Sequence, residues 1–407
     1  MISVGLANAV LLMSLLATVG SYLFISRREG SYLNIATPSL VLNLPAFYLL
    51  PLLYTTWFGN DATAYAYVYV YLTLGLESCV FAYVYTRPAG RPLRLPFSFA
   101  YHNFRWLALA CLAISVAVFL PVLLEFREYI LDPRRIYEQT RTGFGASFFL
   151  SSTFAYLAVI LILFTEESRF RKAAVIVAAA VVLSLHGSKG QVLGLVLLLG
   201  LYAAYVSRQK LDLLPAIGAG MGVVALVAGL FAATMSFGGA WEAIETISQY
   251  STYTQNAMLV IDSNLPPEYG RLTWESNVIA LVPRAMMPNK PKDFGEFYLA
   301  AKFFPSEFDQ DTGAPAFGIG LQYADFGFLA IIYLLLFTAL KAWLARIFVT
   351  RLRWTKHPAD FIVVAFLADI ALIPAGGTGW LLPETLVLAM LVRFGSSLGA
   401  EKVYREQ

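Results

Sequence analysis

Long apolar segments constrain this chain more than any other feature of its sequence. A helix needs roughly 17–25 apolar residues to cross the hydrocarbon core of a bilayer, and eleven segments are candidates, several of them short or interrupted by Pro or Gly. Hydrophobic residues make up 58% of the 407-residue chain and charged residues only 14%, a balance that excludes a soluble globular protein. We predict an all-α, polytopic transmembrane protein in which residues 1–407 form one integral membrane domain. The predicted spans are 4–25, 39–58, 65–85, 105–124, 146–164, 172–186, 190–206, 213–235, 320–345, 360–374 and 380–397.

The basic residues predict the orientation of these spans. If the N-terminus is external, nineteen of the 29 Lys and Arg residues, Lys341 among them, fall in cytoplasmic connections. Cytoplasmic connections of membrane proteins are enriched in Lys and Arg. The sequence therefore predicts an external N-terminus and, with eleven spans, a cytoplasmic C-terminus. The connections 125–145 and 236–319 are then external loops.

Ten basic residues lie on the external side, which is the side that this rule depletes. Their clustering suggests an anionic ligand at the outer membrane surface. Alternatively, some arginines of the loop 125–145 are paired with acidic residues of the same loop. The ten are Arg127, Arg134, Arg135, Arg141, Lys189, Arg271, Arg284, Lys290, Lys292 and Lys302.

The long loop 236–319 begins with aromatic residues at loose helical spacing, which predicts amphipathic helices on the outer membrane surface. Further on, three prolines alternate with basic residues in LVPRAMMPNKPKDF (281–294). Proline disfavours the α region for the residue before it, so we expect Arg284 and Lys290 to be held on a stiff, non-helical backbone. That geometry suits a preformed anion site. The alternative is a surface loop whose charges are solvated.

A short turn, HGSKGQ (186–191), connects two predicted spans on the external side. Gly187 and Gly190 permit positive φ, which would bring backbone N–H groups close to an anion beside Lys189. His186 in the same turn is either a general base or a structural histidine that is hydrogen-bonded there.

Few other groups in the sequence suggest chemistry. Glu77, Asp369 and Glu384 lie within predicted spans, where an ionisable group is a functional candidate by default, but we rank them below the external basic cluster. Cys79 and Cys111 lie in apolar segments, and no set of His, Cys and acidic residues has metal-binding spacing. The sequence predicts no metal site, no cofactor and no nucleic acid partner.

Three motifs of this chain resemble those of a known family. VPRAMMPNKPKDFGEFY is similar to an IPR-x-x-x-P-x-KP-like segment, GIGLQYADFGFLAIIY to a Tyr-x-x-x-Gly helix start, and GSKG to a Gly-Ser-Arg/Lys-Gly turn. These motifs are typical of the oligosaccharide repeat unit polymerases, the Wzy-type O-antigen and exopolysaccharide polymerases of bacteria. Members of that family often have Arg at the position of Lys189. The resemblance implies a GT-C-like helical fold in the bacterial cytoplasmic (inner) membrane.

The resemblance also implies an activity. Such an enzyme is a membrane glycosyltransferase that passes a growing glycan from undecaprenyl diphosphate to a new lipid-linked repeat unit. Its partners are lipid-linked oligosaccharides and membrane lipids, with a chain-length regulator and a flippase of the same pathway. The leaving diphosphate needs cations and the attacking hydroxyl usually needs a base.

Candidate residues follow from these requirements. Candidates for diphosphate binding are Arg284, Lys290, Lys189, Arg135 and Arg141. Candidates for the base are His186, Asp325 and Glu275, among which the sequence does not choose, and candidates for glycan binding are Tyr323, Trp274 and Tyr253.

Two other functions fit the same topology. One is an O-antigen ligase-like glycan transferase, which has a different acceptor. The other is a transporter or flippase for a lipid-linked oligosaccharide, for which broken helices in two internally similar halves are expected. The sequence shows no such repeat.

Overall fold

The computed structural model describes residues 2–59, 61–88, 104–130, 132–139, 144–216, 218, 220–222, 252–279, 282, 286–309, 316–370, 372 and 382–397. Every regular element within these residues is a helix. The α-helices begin with α1 (Val4–Glu29), α2 (Thr37–Asn43), α3 (Leu50–Phe58), α4 (Ala64–Tyr85), α5 (Phe104–Glu125), α6 (Pro133–Gln139), α7 (Gly145–Leu163), α8 (Arg169–Leu185) and α9 (Lys189–Tyr205), and a π-helical turn (Leu44–Leu49) joins α2 to α3. The next eight are α10 (Thr252–Asp262), α11 (Arg271–Trp274), α12 (Glu296–Phe303), α13 (Pro305–Asp309), α14 (Gly320–Phe326), α15 (Ala330–Thr355), α16 (Pro358–Leu367) and α17 (Leu382–Ser397).

Six apolar helical stretches of the described chain are long enough to cross a membrane. They are Val4–Glu29, Thr37–Phe58, Ala64–Tyr85, Phe104–Glu125, Gly145–Leu163 and Gly320–Thr355, and the shorter apolar helices include Gly190–Tyr205, Pro358–Leu367 and Thr385–Phe394. All eleven predicted spans contain described helical residues. The multi-pass, all-helical class is therefore confirmed, while the count of eleven spans stays a prediction.

The main hydrophobic core surrounds α7. From Ser151 to Leu163, nearly every side chain of this helix is buried, and α5, α8 and α16 pack against it. A helix that is apolar on all sides needs neighbours on all sides. The remaining long spans keep many apolar side chains exposed, as lipid-facing helices do.

A second core joins α1 and α4 to α10. Residues 252–279 and 286–309 form a compact group of short helices, here called the loop layer, which has a small core of its own around Leu272 and Leu299. The layer lies against α14, where Gly320 allows a close approach: a Cβ at this position would be 2.9 Å from Cα of Ala257 in α10. A larger residue at position 320 would therefore push α10 away from α14.

Thr63 ties the loop layer to the membrane helices. Its hydroxyl oxygen caps α4 by accepting a hydrogen bond from the N–H of Ala66 (3.1 Å). Its own N–H donates to the carboxylate of Asp262 at the end of α10 (2.8 Å), and its hydroxyl donates to the same carboxylate. One residue thus fixes both the start of α4 and the position of α10.

The turn 186–191 agrees with its prediction only in part. Gly187 has the expected positive φ, 67°, and α6 packs so closely here that a Cβ would collide with the backbone of Pro133. Gly190 lies in the first turn of α9 with an ordinary helical backbone. The expected positive φ at Gly190 is therefore wrong, because α9 begins before this glycine.

Candidate functional site

A cavity of about 560 Å³ lies inside the helix bundle, between α1, the segment 35–43, α4 and α15. Polar groups inside a membrane protein are costly unless they serve a purpose, so their convergence on one cavity marks it as the leading candidate for the functional site. Its polar lining residues are Thr18, Ser21, Tyr22, Ser39, Asn43, Tyr48, Glu77, Ser78, Gln322, Thr338, Lys341 and Asp369.

Three ionisable side chains meet in this cavity. Lys341 on α15 forms an ion pair with Asp369, which follows α16. Glu77 on α4 accepts a hydrogen bond (2.9 Å) from the hydroxyl of Thr338, one turn before Lys341. Lys341 lies within α15, roughly 16 Å along the helix at 1.5 Å per residue, and its assignment to a cytoplasmic connection stays a prediction.

The backbone at Asp369 is unusual. Its φ is 64°, in the left-handed region, and it follows directly on the end of α16 near Leu367. Irregular backbone at membrane depth occurs where it is buried in protein or lines a water-filled cavity. Left-handed residues other than glycine also cluster at functional sites. Both rules fit a residue on the wall of a polar site.

Hydroxyl groups line another wall of the cavity. The hydroxyl of Tyr48 lies 2.7 Å from that of Thr18 and 3.2 Å from that of Ser14. Thr18 also shares a hydrogen bond of 3.0 Å with Ser78. Hydroxyls both donate and accept hydrogen bonds, as sugar hydroxyls do, and the aromatic side chain of Phe47 on the lining offers an apolar surface. The lining is therefore chemically suited to a carbohydrate.

Two of the predicted glycan-binding residues lie close to this cavity, Tyr253 in the loop layer and Tyr323 on α14. The ring of Tyr253 contacts that of Phe47 on the cavity lining, with centroids 6.0 Å apart. Tyr323 follows the lining residue Gln322 on α14, and its ring packs edge-on against Tyr69 at 5.0 Å. The third predicted residue, Trp274 on α11, is 61% exposed and is not part of the lining.

The predicted base His186 is fully buried between α7 and the turn that follows α8. Its Nδ1 lies 2.9 Å from Oε1 of Gln191 and its Nε2 lies 3.1 Å from Oγ of Ser151. The rings of Phe119 and Phe148 pack against the imidazole. Because both ring nitrogens are hydrogen-bonded inside the protein, this geometry favours the structural alternative. The catalytic role stays a prediction.

Asp325 is also fully buried, and its contacts are those of a helix cap. Its carboxylate accepts hydrogen bonds from the N–H groups of Leu272 (2.9 Å) and Thr273 in the first turn of α11. The backbone oxygen of Asp325 accepts a third hydrogen bond (2.8 Å) from Tyr269. Carboxylates near helix N-termini are stabilising, so this residue holds the loop layer onto α14.

Glu275 has a similar role within the loop layer. Its carboxylate accepts hydrogen bonds from Arg271 (3.0 Å) and from the N–H of Gly295 (2.7 Å). Arg271 also binds Glu268 at 3.0 Å, and this hydrogen bond lowers the pKa of Glu268. One of the ten basic residues is thus neutralised by two carboxylates.

Only two of the five predicted diphosphate-binding residues have side chains among the described residues. The Nζ of Lys290 donates a hydrogen bond (3.1 Å) to the carbonyl oxygen of Val282 and lies 4.4 Å from the ring centroid of Phe294. Arg135 is exposed and forms an ion pair with Asp132 (3.1 Å). Arg284, Arg141 and the side chain of Lys189 lie outside the described residues. Their roles stay predictions.

The acidic residues of this cavity ranked below the external basic cluster in the sequence analysis. Lys341 lies inside the predicted span 320–345, where a basic residue is rare. That position, together with the two intramembrane acids Glu77 and Asp369, was a signal that could have identified the site. Among the described residues, no group of three His, Cys, Asp or Glu side chains could hold a metal ion.

The long apolar helices, the cavity with its polar side chains and the loop layer define a multi-pass membrane protein with a candidate site between its helices. No protein-family model matches the chain, and no solved structure is detectably similar to it. It is, however, 36% identical over 388 residues to the O-antigen polymerases of Salmonella typhimurium (strain LT2) and Salmonella typhi, with 94% of this chain and of each relative covered. The chain belongs to the O-antigen polymerase family, and the resemblance noted in its motifs is confirmed.

Proposed function

We propose that this protein joins lipid-linked oligosaccharide repeat units into O-antigen or exopolysaccharide at the outer face of the bacterial cytoplasmic membrane. The growing glycan leaves undecaprenyl diphosphate and passes to the non-reducing sugar of a new lipid-linked repeat. The hydroxyl oxygen of that sugar forms a bond to the anomeric carbon, and the bond from this carbon to the diphosphate breaks. The hydroxyl proton passes to a base, and undecaprenyl diphosphate leaves with the electron pair.

The observation that carries this proposal is the similarity to O-antigen polymerases along 94% of both chains. Since the shared length is nearly the whole protein, the similarity extends well beyond one motif. Polymerising units that stay bound to a membrane lipid also requires a polar site at membrane depth, and the cavity in the bundle supports that requirement.

A carboxylate on the cavity wall fits the role of proton acceptor better than the three base candidates predicted from the sequence. Glu77 is a carboxylate on the cavity wall, and the transfer needs a group that accepts the hydroxyl proton. His186, Asp325 and Glu275 already use their polar atoms in structural hydrogen bonds. We therefore assign the role of proton acceptor to Glu77 in preference to these three.

The leaving diphosphate carries charge that preorganised cations must stabilise. Arg284 is the first candidate, because its planar guanidinium can bind two phosphate oxygens at once. Lys290, Lys189, Arg135 and Arg141 are the supporting candidates. The proposed topology puts all five on the external side, with eleven spans, an external N-terminus and a GT-C-like arrangement of helices. A chain-length regulator and a flippase are the proposed partners.

A strain that lacks this gene tests the function through its lipid-linked glycans. Single repeat units that accumulate at the outer face, together with loss of the glycan ladder, are the expected result. Repeat units trapped at the inner face would instead indicate a flippase. Long polymer that remains on its lipid would indicate a ligase-like transferase.

A pair of variants tests the role of the cavity. Glu77→Gln keeps the shape of the side chain but removes its basic oxygen, so the ladder should disappear at unchanged protein level in the membrane. Glu166→Gln, at an exposed position outside the cavity, is the matched control and should polymerise normally. A normal ladder from Glu77→Gln would exclude this residue as the base.

A further inference from the structure

A second concavity lies at the end of the bundle far from the loop layer. Its volume is about 820 Å³, and it is bounded by the C-terminal ends of α1, α4, α9 and α15. Among the described residues, its basic lining residues are Arg28, Arg87, Arg208, Lys210, Arg346 and Arg353, and its one acidic lining residue is Glu29. We call it the basic pocket.

The single carboxylate of the basic pocket is already engaged. Glu29 accepts hydrogen bonds from Arg353 (3.0 Å), from the hydroxyl of Tyr205 (3.0 Å) and from the hydroxyl of Tyr85. These contacts join four helices at one point. The positive charge of the other five basic side chains is therefore not balanced by an acidic residue of the lining.

Arg346 indicates that the excess positive charge binds a hydrogen-bond acceptor. Its Nε is buried, and no hydrogen-bond partner for it occurs among the described residues. A buried donor without a partner is unfavourable, and an acceptor that enters the pocket would satisfy it. Arg346 and Arg353 lie two turns apart on α15, and Thr350 lies between them on the pocket lining.

The positive-inside rule accounts for the presence of basic residues on one side of a membrane. It does not account for their convergence on one pocket between helices, because charge repulsion favours spreading them apart. Basic pockets between transmembrane helices bind the headgroups of anionic lipids, and a phosphodiester offers the paired oxygens that guanidinium groups bind best.

The surroundings of the pocket distinguish a lipid from a soluble anion. The guanidinium of Arg87 stacks 4.2 Å from the ring centroid of Tyr83, and that of Arg28 lies 5.5 Å from the ring centroid of Phe24. Both rings are exposed on the outside of the helices, as is Trp354 on the pocket lining. Aromatic side chains of this kind lie at the level of the lipid headgroups. The pocket therefore opens where headgroups and acyl chains meet.

We propose that the basic pocket binds the phosphate headgroup of an anionic glycerophospholipid, whose acyl chains lie against the exposed faces of α1 and α4. The lipid joins the ends of α1, α4, α9 and α15 at the opposite end of the bundle from the loop layer. This binding does not depend on the proposed polymerase reaction.

The test uses the full-length protein, purified in a neutral detergent and titrated with phosphatidylglycerol or with phosphatidylcholine. Bound lipid is measured by native mass spectrometry, and stabilisation by the thermal unfolding midpoint. Phosphatidylglycerol should bind and stabilise, while phosphatidylcholine should do neither. Each basic residue near a membrane surface contributes about fivefold to the affinity for anionic lipid, so the double variant Arg346→Gln/Lys210→Gln should bind phosphatidylglycerol about 30-fold more weakly.

Arg27→Gln is the matched control, because Arg27 precedes Arg28 on the same helix end but is not part of the pocket lining. It should bind phosphatidylglycerol like the unaltered protein. Both variants avoid the contacts of Glu29, so both should remain folded without lipid, which a cooperative unfolding transition checks. Equal binding by the double variant and the unaltered protein would refute the proposal. Equal stabilisation by inorganic pyrophosphate would also refute it, in favour of a soluble anion.

Discussion

Gly187 offers a sharp test of how the turn 186–191 is built. Its φ of 67° is a conformation that costs a residue with a Cβ about 1–2 kcal/mol. A Cβ at this position would also lie 2.7 Å from the carbonyl carbon of Pro133 and 3.1 Å from Cβ of Tyr137. Since carbon atoms pack at about 3.5–4.0 Å, α6 would have to move by about 1 Å.

The expected magnitude combines these effects. Strain and overpacking together destabilise by about 2–5 kcal/mol, and the reduced freedom of the unfolded chain offsets about 0.4–1 kcal/mol of this. Gly187→Ala should therefore lower the free energy of unfolding by about 1–4.5 kcal/mol. Gly190→Ala is the matched control, three residues away, where the nearest atom to a new Cβ is Oγ of Ser188 at 4.0 Å. Alanine there should stabilise α9 by about 0.5–1 kcal/mol.

Unfolding by sodium dodecyl sulfate in mixed micelles measures both changes, and a glycan ladder from cells reports activity. Because α6 also carries Arg135, its displacement in Gly187→Ala should shorten or weaken the ladder, while Gly190→Ala should leave it intact. Equal unfolding curves for the two variants would refute the close packing of α6 on this turn.

Three further outcomes are expected. Arg284→Ala should abolish visible polymer and Arg284→Lys should retain a small part, because a lost charge-assisted hydrogen bond costs ~1.5–3 kcal/mol, or roughly 10–200-fold in rate. Lys302→Ala should have only a mild effect on the glycan ladder. A full ladder from Arg284→Ala would assign diphosphate binding to the arginines of 134–141. Burial lowers the pKa of His357 to about 4 from 6.5, so the unfolded state binds more protons between these values and stability should fall by about 3 kcal/mol as the pH drops through that window. His357→Asn keeps an acceptor for the N–H of Ala359 and should remove this part of the pH dependence of unfolding. Arg351→Met should destabilise by ~3–5 kcal/mol because it leaves Asp360 buried without its partner at 2.8 Å, and Arg351→Met/Asp360→Leu should recover most of the loss in the same unfolding measurement.

Apolar length and backbone chemistry made much of the fold predictable. A run of apolar residues long enough to span a bilayer has few options other than a helix, so all eleven predicted spans contain helical residues. The positive φ of Gly187 was predictable for a similar reason, because a glycine in a tight turn between helices commonly adopts it. Gly190 was not, because the exact start of a helix depends on capping contacts more than on composition.

The chemistry of the site was less predictable because it depends on which helices meet. The charge rule assigns basic residues to sides of the membrane by position along the chain, and so it placed Lys341 in a connection. Its partner Asp369 follows another helix, 28 residues later. Asp325 likewise has the carboxylate that a base candidate needs, but its structural role depends on the N–H groups of α11, about 50 residues earlier.

The bonds between Thr63 and Asp262 have a consequence for how the protein is made. The two residues are 199 positions apart, and at about 5–20 residues per second the ribosome takes roughly 10–40 s to reach the second after the first. During that interval α1 and α4 have entered the membrane, but no carboxylate has arrived to hold the N-terminal end of α4. The loop layer also needs Asp325, which is made later still. A nascent chain that stops before this residue therefore has the first walls of the cavity in place and lacks the carboxylate that holds the loop layer onto α14.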